Sequence, residues 1–245
     1  MYFSLKKIKD SLPAKKNSKS SLWVKTVVRK LSFLFTFAFI NLGCSAWMAS
    51  IISVLVACAG AVCLCINSPV ARIVGVILIE LWLVLDCVDG NIARVRRTSS
   101  EMGEFIDALS GYYVTGFVYF AIGISAFYTT SMTKFAFLWV ILGGMSSICG
   151  LLARIIHQKY TYTLLVLERR NCEKVELPED EVTNKKSIQY LRSRVDKEIS
   201  ISGLFMPFLL IALVFNLYDI MTIFYFLFQL VGLMAVTVYY SIKAK

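Results

Sequence analysis

The chain has 245 residues, of which 58% are apolar and 17% charged, with a mean hydropathy of +0.68 and a formal net charge of +10. That apolar share exceeds the roughly 45–50% of soluble domains, which excludes an ordinary soluble enzyme and places most of the chain in lipid. The positive charge is read as a signal of topology and of anionic lipid, with no nucleic-acid partner expected.

Residues 1–20 read as a basic N-terminal tail, with Lys6, Lys7, Lys9, Lys15, Lys16 and Lys19 among serines. Such a segment is expected to be mobile or to lie on headgroups, and it lacks the apolar core of a cleavable signal peptide. From Leu22 to Leu31, the residues Leu22, Val24, Val27, Val28 and Leu31 recur at helical spacing, with Lys25, Arg29 and Lys30 largely opposite them. This pattern predicts an amphipathic interfacial helix. The apolar run from Leu31 to Leu42 is too short to span, and Gly43 is expected to turn the chain into the first span. A hydrocarbon core needs about 20 apolar residues per helix. Runs near that length mark spans at 46–66, 70–90, 105–127, 134–156 and 220–242, with a shorter one at 203–217. The polar stretch 167–200 reads as a cytoplasmic connection, with a short helix near 188–195. The fold class is therefore all-α integral membrane, six transmembrane helices after an interfacial helix, with residues 21–245 forming one domain.

The basic residues orient this layout. Of 26 Lys and Arg, 24 lie before residue 46, within 91–104, within 154–202 or after residue 242. Only Arg72 and Lys134 fall in the alternate connections, so six spans put both termini and the basic connections in the cytoplasm. Five or seven spans would spoil the alternation. The seven cysteines lie mostly in apolar runs and are read as small packing residues, not as a disulfide or metal framework.

The chemistry concentrates where the second span ends, Asp86-Cys87-Val88-Asp89-Gly90-Asn91-Ile92-Ala93-Arg94, and the third begins, Gly103-Glu104-Phe105-Ile106-Asp107. Asp86, Asp89 and Ala93 have the i, i+3, i+7 spacing of one helical face. Two carboxylates on adjacent turns do not both stay ionised cheaply unless a cation lies between them. A connection from Val95 to Met102 is long enough to reverse the chain and set Asp107 opposite the pair. Three carboxylates from two helices offer the all-oxygen environment of Mg2+ or Mn2+. Gly90 and Gly103 admit close backbone approach, and Arg94 has the chemistry to pair with a phosphate.

The pattern D-x-x-D-G-x-x-A-R-x8-G-x-x-x-D-x-x-x-D resembles the signature of the CDP-alcohol phosphotransferases, and the chain matches it from Asp86 through Asp107. The resemblance implies transfer of a phospho-alcohol or phosphatidyl group from a CDP-alcohol or CDP-diacylglycerol donor to an acceptor alcohol, with CMP leaving, in phospholipid or related glycolipid biosynthesis. It implies Asp86, Asp89 and Asp107 as metal ligands, Gly90, Ala93, Arg94 and Gly103 beside the CDP, a cytoplasmic site, membrane-lipid partners and a homodimer. One position departs. The pattern's last aspartate falls at Gly111, and in the family that carboxylate helps hold a second metal and takes the proton of the attacking alcohol. One Mg2+ or Mn2+ site is thus expected, with Glu104, one turn before Asp107, as the substitute base beside Asp107 itself, Tyr112 or a metal-bound water. Two alternatives stand beside the enzyme: a CDP-alcohol-binding chain disabled by divergence or by deliberate replacement of an aspartate, which Gly111→Asp would reactivate, and an ion-coupled transporter. At the first span, Ser45-Ala46-Trp47 stands where family members often carry Ser/Thr-Pro-Asn.

Other conspicuous residues have plainer readings. His157 reads as an interfacial residue and Glu80 as a paired or protonated structural acid. Trp23 and Trp47 read as interface anchors, and Gly116, Gly143 and Gly144 as close-packing positions within the chain or between subunits.

Overall fold

The computed structural model describes residues 3–13, 20–131, 135–171 and 198–243. Lys15, Lys16, Lys19, Lys134, Cys172 and the helix expected near 188–195 lie outside the described residues. All regular structure within them is helical. A short helix α1 (Leu5–Asp10) is followed by a π-helical turn (Val24–Val28) that runs into α2 (Arg29–Asn41). Then come α3 (Ala46–Leu64), α4 (Pro69–Arg96), α5 (Glu101–Thr129), α6 (Ala136–Asn171), α7 (Phe205–Phe215) and α8 (Tyr218–Lys243).

Four of these, α3, α5, α6 and α8, are long and apolar enough to cross a membrane. The other two expected spans differ from them for separate reasons. α4 has 28 residues, but every 18-residue stretch of it carries at least three charged side chains. α7 has 11 residues, about 16 Å at helical rise, roughly half the thickness of a hydrocarbon core.

Serine caps begin three of the long helices. Ser45, Ser68 and Ser100 accept the N–H groups of Met48, Ala71 and Gly103, with Pro69 at the first position of α4 and Glu101 and Glu104 in the first turn of α5. α4 runs past residue 90 to Arg96, and α5 begins at Glu101, ahead of residue 105. The reversal between them is thus a link of four residues. Arg97 makes it possible by adopting the left-handed conformation, φ 57°, while the Thr98 N–H returns to the Ala93 carbonyl at 2.9 Å. α6 continues from the expected span end at 156 to Asn171. Its 36 residues measure about 54 Å, so the first part of the expected 167–200 connection is helix that must project beyond a hydrocarbon core of about 30 Å.

Two apolar cores hold the helices. The larger joins Ile79 and Leu83 of α4, Val118 and Ile122 of α5, Phe205 and Leu209 of α7, and Met221 and Tyr225 of α8. Val24 and Val28 enter this core, while Leu22 and Leu31 are exposed, so the 22–31 segment turns its valine stripe into the bundle. The Trp23 indole N–H donates to Glu80 Oε2 at 3.3 Å, which gives the acid the partner expected of it. The smaller core lies behind the motif helix: Ile8, Ile40, Ala49, Val88 and Ile92. Ile8 is 0% exposed. Part of the tail expected to be mobile or to lie on headgroups is a helix docked on the bundle, pinned also by the Phe3 N–H on Asn41 Oδ1 at 3.2 Å.

Glycines set the closest helix crossings. A Cβ on Gly123 of α5 would lie 2.5 Å from the Trp139 carbonyl and 2.9 Å from Gly143 Cα in α6. Gly143 thus serves packing within one chain.

Candidate active site

α4 presents the acidic pair, and its neighbours supply hydroxyls to it. Asp89 is 5% exposed and accepts a hydrogen bond from Ser50 Oγ of α3 at 2.5 Å. Asp86 is half-buried and accepts from Ser110 Oγ of α5 at 3.1 Å, and Ser110 in turn accepts the Trp82 indole N–H at 2.8 Å. A carboxylate buried in such surroundings is costly unless polar donors meet it, and here each aspartate has one from a separate helix.

Two residues beyond Asp89 on α4, Asn91 is fully buried. Its amide nitrogen donates to Thr36 Oγ1 at 3.0 Å and to Ser32 Oγ at 3.3 Å, both on α2. Its oxygen accepts from Arg94 Nη2 at 2.6 Å. Arg94 folds back over Gly90, where a Cβ would lie 3.1 Å from Nη1, so the glycine leaves room for the guanidinium. Burial pulls the Arg94 guanidinium below its ordinary range; nearby Arg29 acts the same way, and Cys87, Asp89 and Asp107 oppose it. Arg29 is 6% exposed, and the Nε atoms of both arginines are buried without a hydrogen-bond partner. The Arg94 guanidinium on α4 and the nearby Arg29 guanidinium on α2 bring two cations together at the motif end of α4, and guanidinium groups are suited to an anion such as a phosphate.

Gly103, Glu104 and Asp107 lie on the exposed first two turns of α5. Gly103 is engaged in the helix cap, its N–H on Ser100 Oγ at 3.1 Å. Ala93 is half-buried on α4. Asp86 and Asp89 share a helical face, as their spacing predicts. Among the described residues, however, no three acidic, histidine or cysteine side chains converge closely enough to enclose one ion. The donors present, carboxylate and hydroxyl oxygens, are those a hard dication takes. Sequence reasoning missed Ser50, Ser110, Asn91 and Arg29. Asn91 lies inside the motif segment as a signal; the serines carry none.

An open cavity of about 420 Å3 lies between α5, α6, α8 and the turn at Ser200, with Tyr112, Arg154, His157 and Gln229 in its wall. His157 Nδ1 is hydrogen-bonded to the Tyr240 hydroxyl near the end of α8.

An all-helical bundle with four helices long and apolar enough to cross a membrane, and a hydroxyl-supported aspartate pair near an arginine on a fifth helix, is that of a membrane protein with a polar site. The CDP-alcohol phosphatidyltransferase family model matches residues 26–175, more than half of the chain, and the chain belongs to that family. It is accordingly an integral membrane protein of a transferase class that moves phospho-alcohol groups between a CDP-alcohol donor and an alcohol acceptor in lipid biosynthesis. Comparison with the curated proteins finds no match.

The hydroxyls around the aspartates are open to a direct test. Ser50→Ala removes the hydrogen bond to Asp89 and is expected, on the metal-ligand role that the resemblance implies for Asp89, to lower transfer activity about 10- to 100-fold, the usual cost of losing a partner of a metal ligand. Initial rates measured beside a thermal-unfolding trace separate this from loss of fold.

Proposed function

We propose that the chain catalyses metal-dependent transfer of a phospho-alcohol or phosphatidyl group from a CDP-linked donor to an acceptor hydroxyl, releasing CMP at the cytoplasmic membrane surface. The observation that carries this reading is the Asp86–Asp89 pair, held by Ser110 and Ser50 from two flanking helices and followed within two turns by Arg94. An ion-coupled transporter would need the carboxylates but gives no reason for a glycine under the arginine or for a second arginine beside it.

Asp86 and Asp89, with Asp107 as the third ligand that the family resemblance implies, would hold Mg2+ or Mn2+, which when bound neutralises the diphosphate and steadies the line of displacement. Gly90, Ala93, Arg94 and Gly103 border the CDP, with Arg94 donating to its phosphate oxygens and Arg29 behind it. The acceptor oxygen forms a bond to the phosphorus that carries the donor alcohol. The bond from that phosphorus to the CMP oxygen breaks, and CMP leaves with the electron pair. The acceptor proton passes to a carboxylate on the exposed start of α5, Glu104 or Asp107. The four long apolar helices together with α4, and α7 joined by the residues from Ile199 before it, make the six crossings, the basic connections face the cytoplasm, and the active unit is a homodimer.

Purified protein supplied in parallel with CDP-diacylglycerol and with CDP-alcohol donors is expected to release CMP in Mn2+ or Mg2+, and to stop when EDTA is added. Donor-dependent release that persists in EDTA would overturn the metal-dependent mechanism. Nucleotide and metal binding without any CMP would favour a non-catalytic CDP-lipid binder, and coupled ion flux would favour the transporter.

A further inference from the structure

Position 111 lacks the motif's final carboxylate, and the space beside it holds a positive charge instead. A Cβ on Gly111 would lie 3.0 Å from Arg154 Nη1. The guanidinium reaches across from α6 and lies over the Tyr112 ring, 5.4 Å from its centroid, while the Tyr112 hydroxyl accepts from Gln158 Nε2. Arg154 is exposed, and it lines the open cavity of about 420 Å3, so a ligand can reach it. Gly111 follows Ser110, the residue bonded to Asp86, and stands one turn beyond Asp107 on α5.

Charge explains how the missing carboxylate and the neighbouring guanidinium belong together. A carboxylate that holds a dication adds one net positive charge to its surroundings; a bare glycine beside a guanidinium adds the same. Arginine is also suited to the substitution, because it stays protonated, stacks on an aromatic ring and offers paired N–H donors to phosphate oxygens. We propose that Arg154 replaces the second divalent cation of the family's site, so that the chain works with one bound cation and a guanidinium on the transferring phosphate. This rests on the metal-dependent reading above. It also changes the expectation for Gly111→Asp: the new carboxylate would form beside Arg154 and be captured as an ion pair, so that substitution alone neither binds a second metal nor raises activity.

The test is the number of Mn2+ ions bound per chain in the presence of CDP, counted by the loss of the free Mn2+ resonance signal. Wild-type, Gly111→Asp and Arg154→Gln proteins are each expected to bind one. The double variant Gly111→Asp/Arg154→Gln is expected to bind two. CMP release is expected to fall about 10²-fold in Arg154→Gln, the usual scale for a lost donor to developing charge, and to recover in part in Arg154→Lys. Two ions in the wild-type chain, two in Gly111→Asp alone, or one in the double variant would each overturn the arginine assignment and leave the metal-dependent reading standing. No Mn2+ in any of the four would overturn both. The wild-type count requires no substitution, so a variant that fails to fold does not shield the proposal.

Discussion

Asp89→Asn protein is expected to release CMP about 10³-fold more slowly than the wild-type chain while unfolding at the same temperature or higher. Asp89 is the more enclosed of the two motif aspartates, with Ser50 of α3 on one oxygen. Asparagine has nearly the same shape, and with its carbonyl oxygen toward Ser50 the packing is preserved, while its amide group then faces the Gly90 N–H that Asp89 accepts. What disappears is a buried negative charge, whose burial opposes folding unless a cation or strong donors compensate it. If Asp89 serves folding, removing its charge leaves activity near normal. If it holds a cation against the donor diphosphate, the loss falls on the transition state and reaches the scale of roughly 10²- to 10³-fold seen when a main electrostatic group is removed. Initial rates over a range of Mn2+ concentrations, beside thermal unfolding in the same detergent, separate the two. An Asp89→Asn protein with a rate within threefold of wild type would remove Asp89 from the reaction.

The part of the site that one helix alone determines is legible in the sequence. Asp86 and Asp89 share a face because i and i+3 always do, whatever surrounds the helix. The partners of that face are not legible, since Ser50 is 39 residues from Asp89 and Ser110 is 24 from Asp86. Their approach depends on how α3 and α5 rotate against α4, and serine in an apolar run is as often a packing residue as a donor. Arg154 is hidden for the same reason: only the crossing of α5 and α6 sets it against Gly111, so the missing acid and its neighbouring cation look unrelated along the chain. In the fold, spans carried by α3, α5, α6 and α8 follow from hydropathy because lipid imposes length and composition directly. The helix ends are harder to read. Beyond Ile156 the sequence turns polar, which marks the end of an apolar run but not of a helix, and neither Gly nor Pro interrupts it before Asn171. Ile8 shows the converse, a single apolar residue among lysines whose burial depends wholly on a pocket made by α2, α3 and α4.

That dependence of the site on a helix crossing predicts an effect far from the motif. Gly123→Ala is expected to destabilise the protein by about 2 to 3 kcal/mol and to weaken the contact between Arg154 and position 111. The added methyl would begin 2.5 Å from the Trp139 carbonyl and within 2.9 Å of Gly143 Cα, so both neighbours are backbone and neither can swing aside as a side chain would. Relief requires α5 and α6 to separate, and overpacking of this kind costs about 1–3 kcal/mol in well-packed interiors, the upper end applying where backbone must move. Within lipid the loss is felt fully, because helices there associate through close contact and not through release of water. Gly111 and Arg154 lie on the same two helices, about three turns toward the motif end. Separation at Gly123 therefore lengthens the distance that the guanidinium must bridge. Gly116→Ala supplies the control: its Cβ would make only a 3.4 Å contact with the tip of Leu151, so it is expected to change stability by less than about 1 kcal/mol. Thermal unfolding of the two variants in one detergent, followed by CMP release at a temperature where both remain folded, checks the pair. Equal stabilities for Gly123→Ala and Gly116→Ala would mean that the α5–α6 crossing is looser than the glycine contact requires.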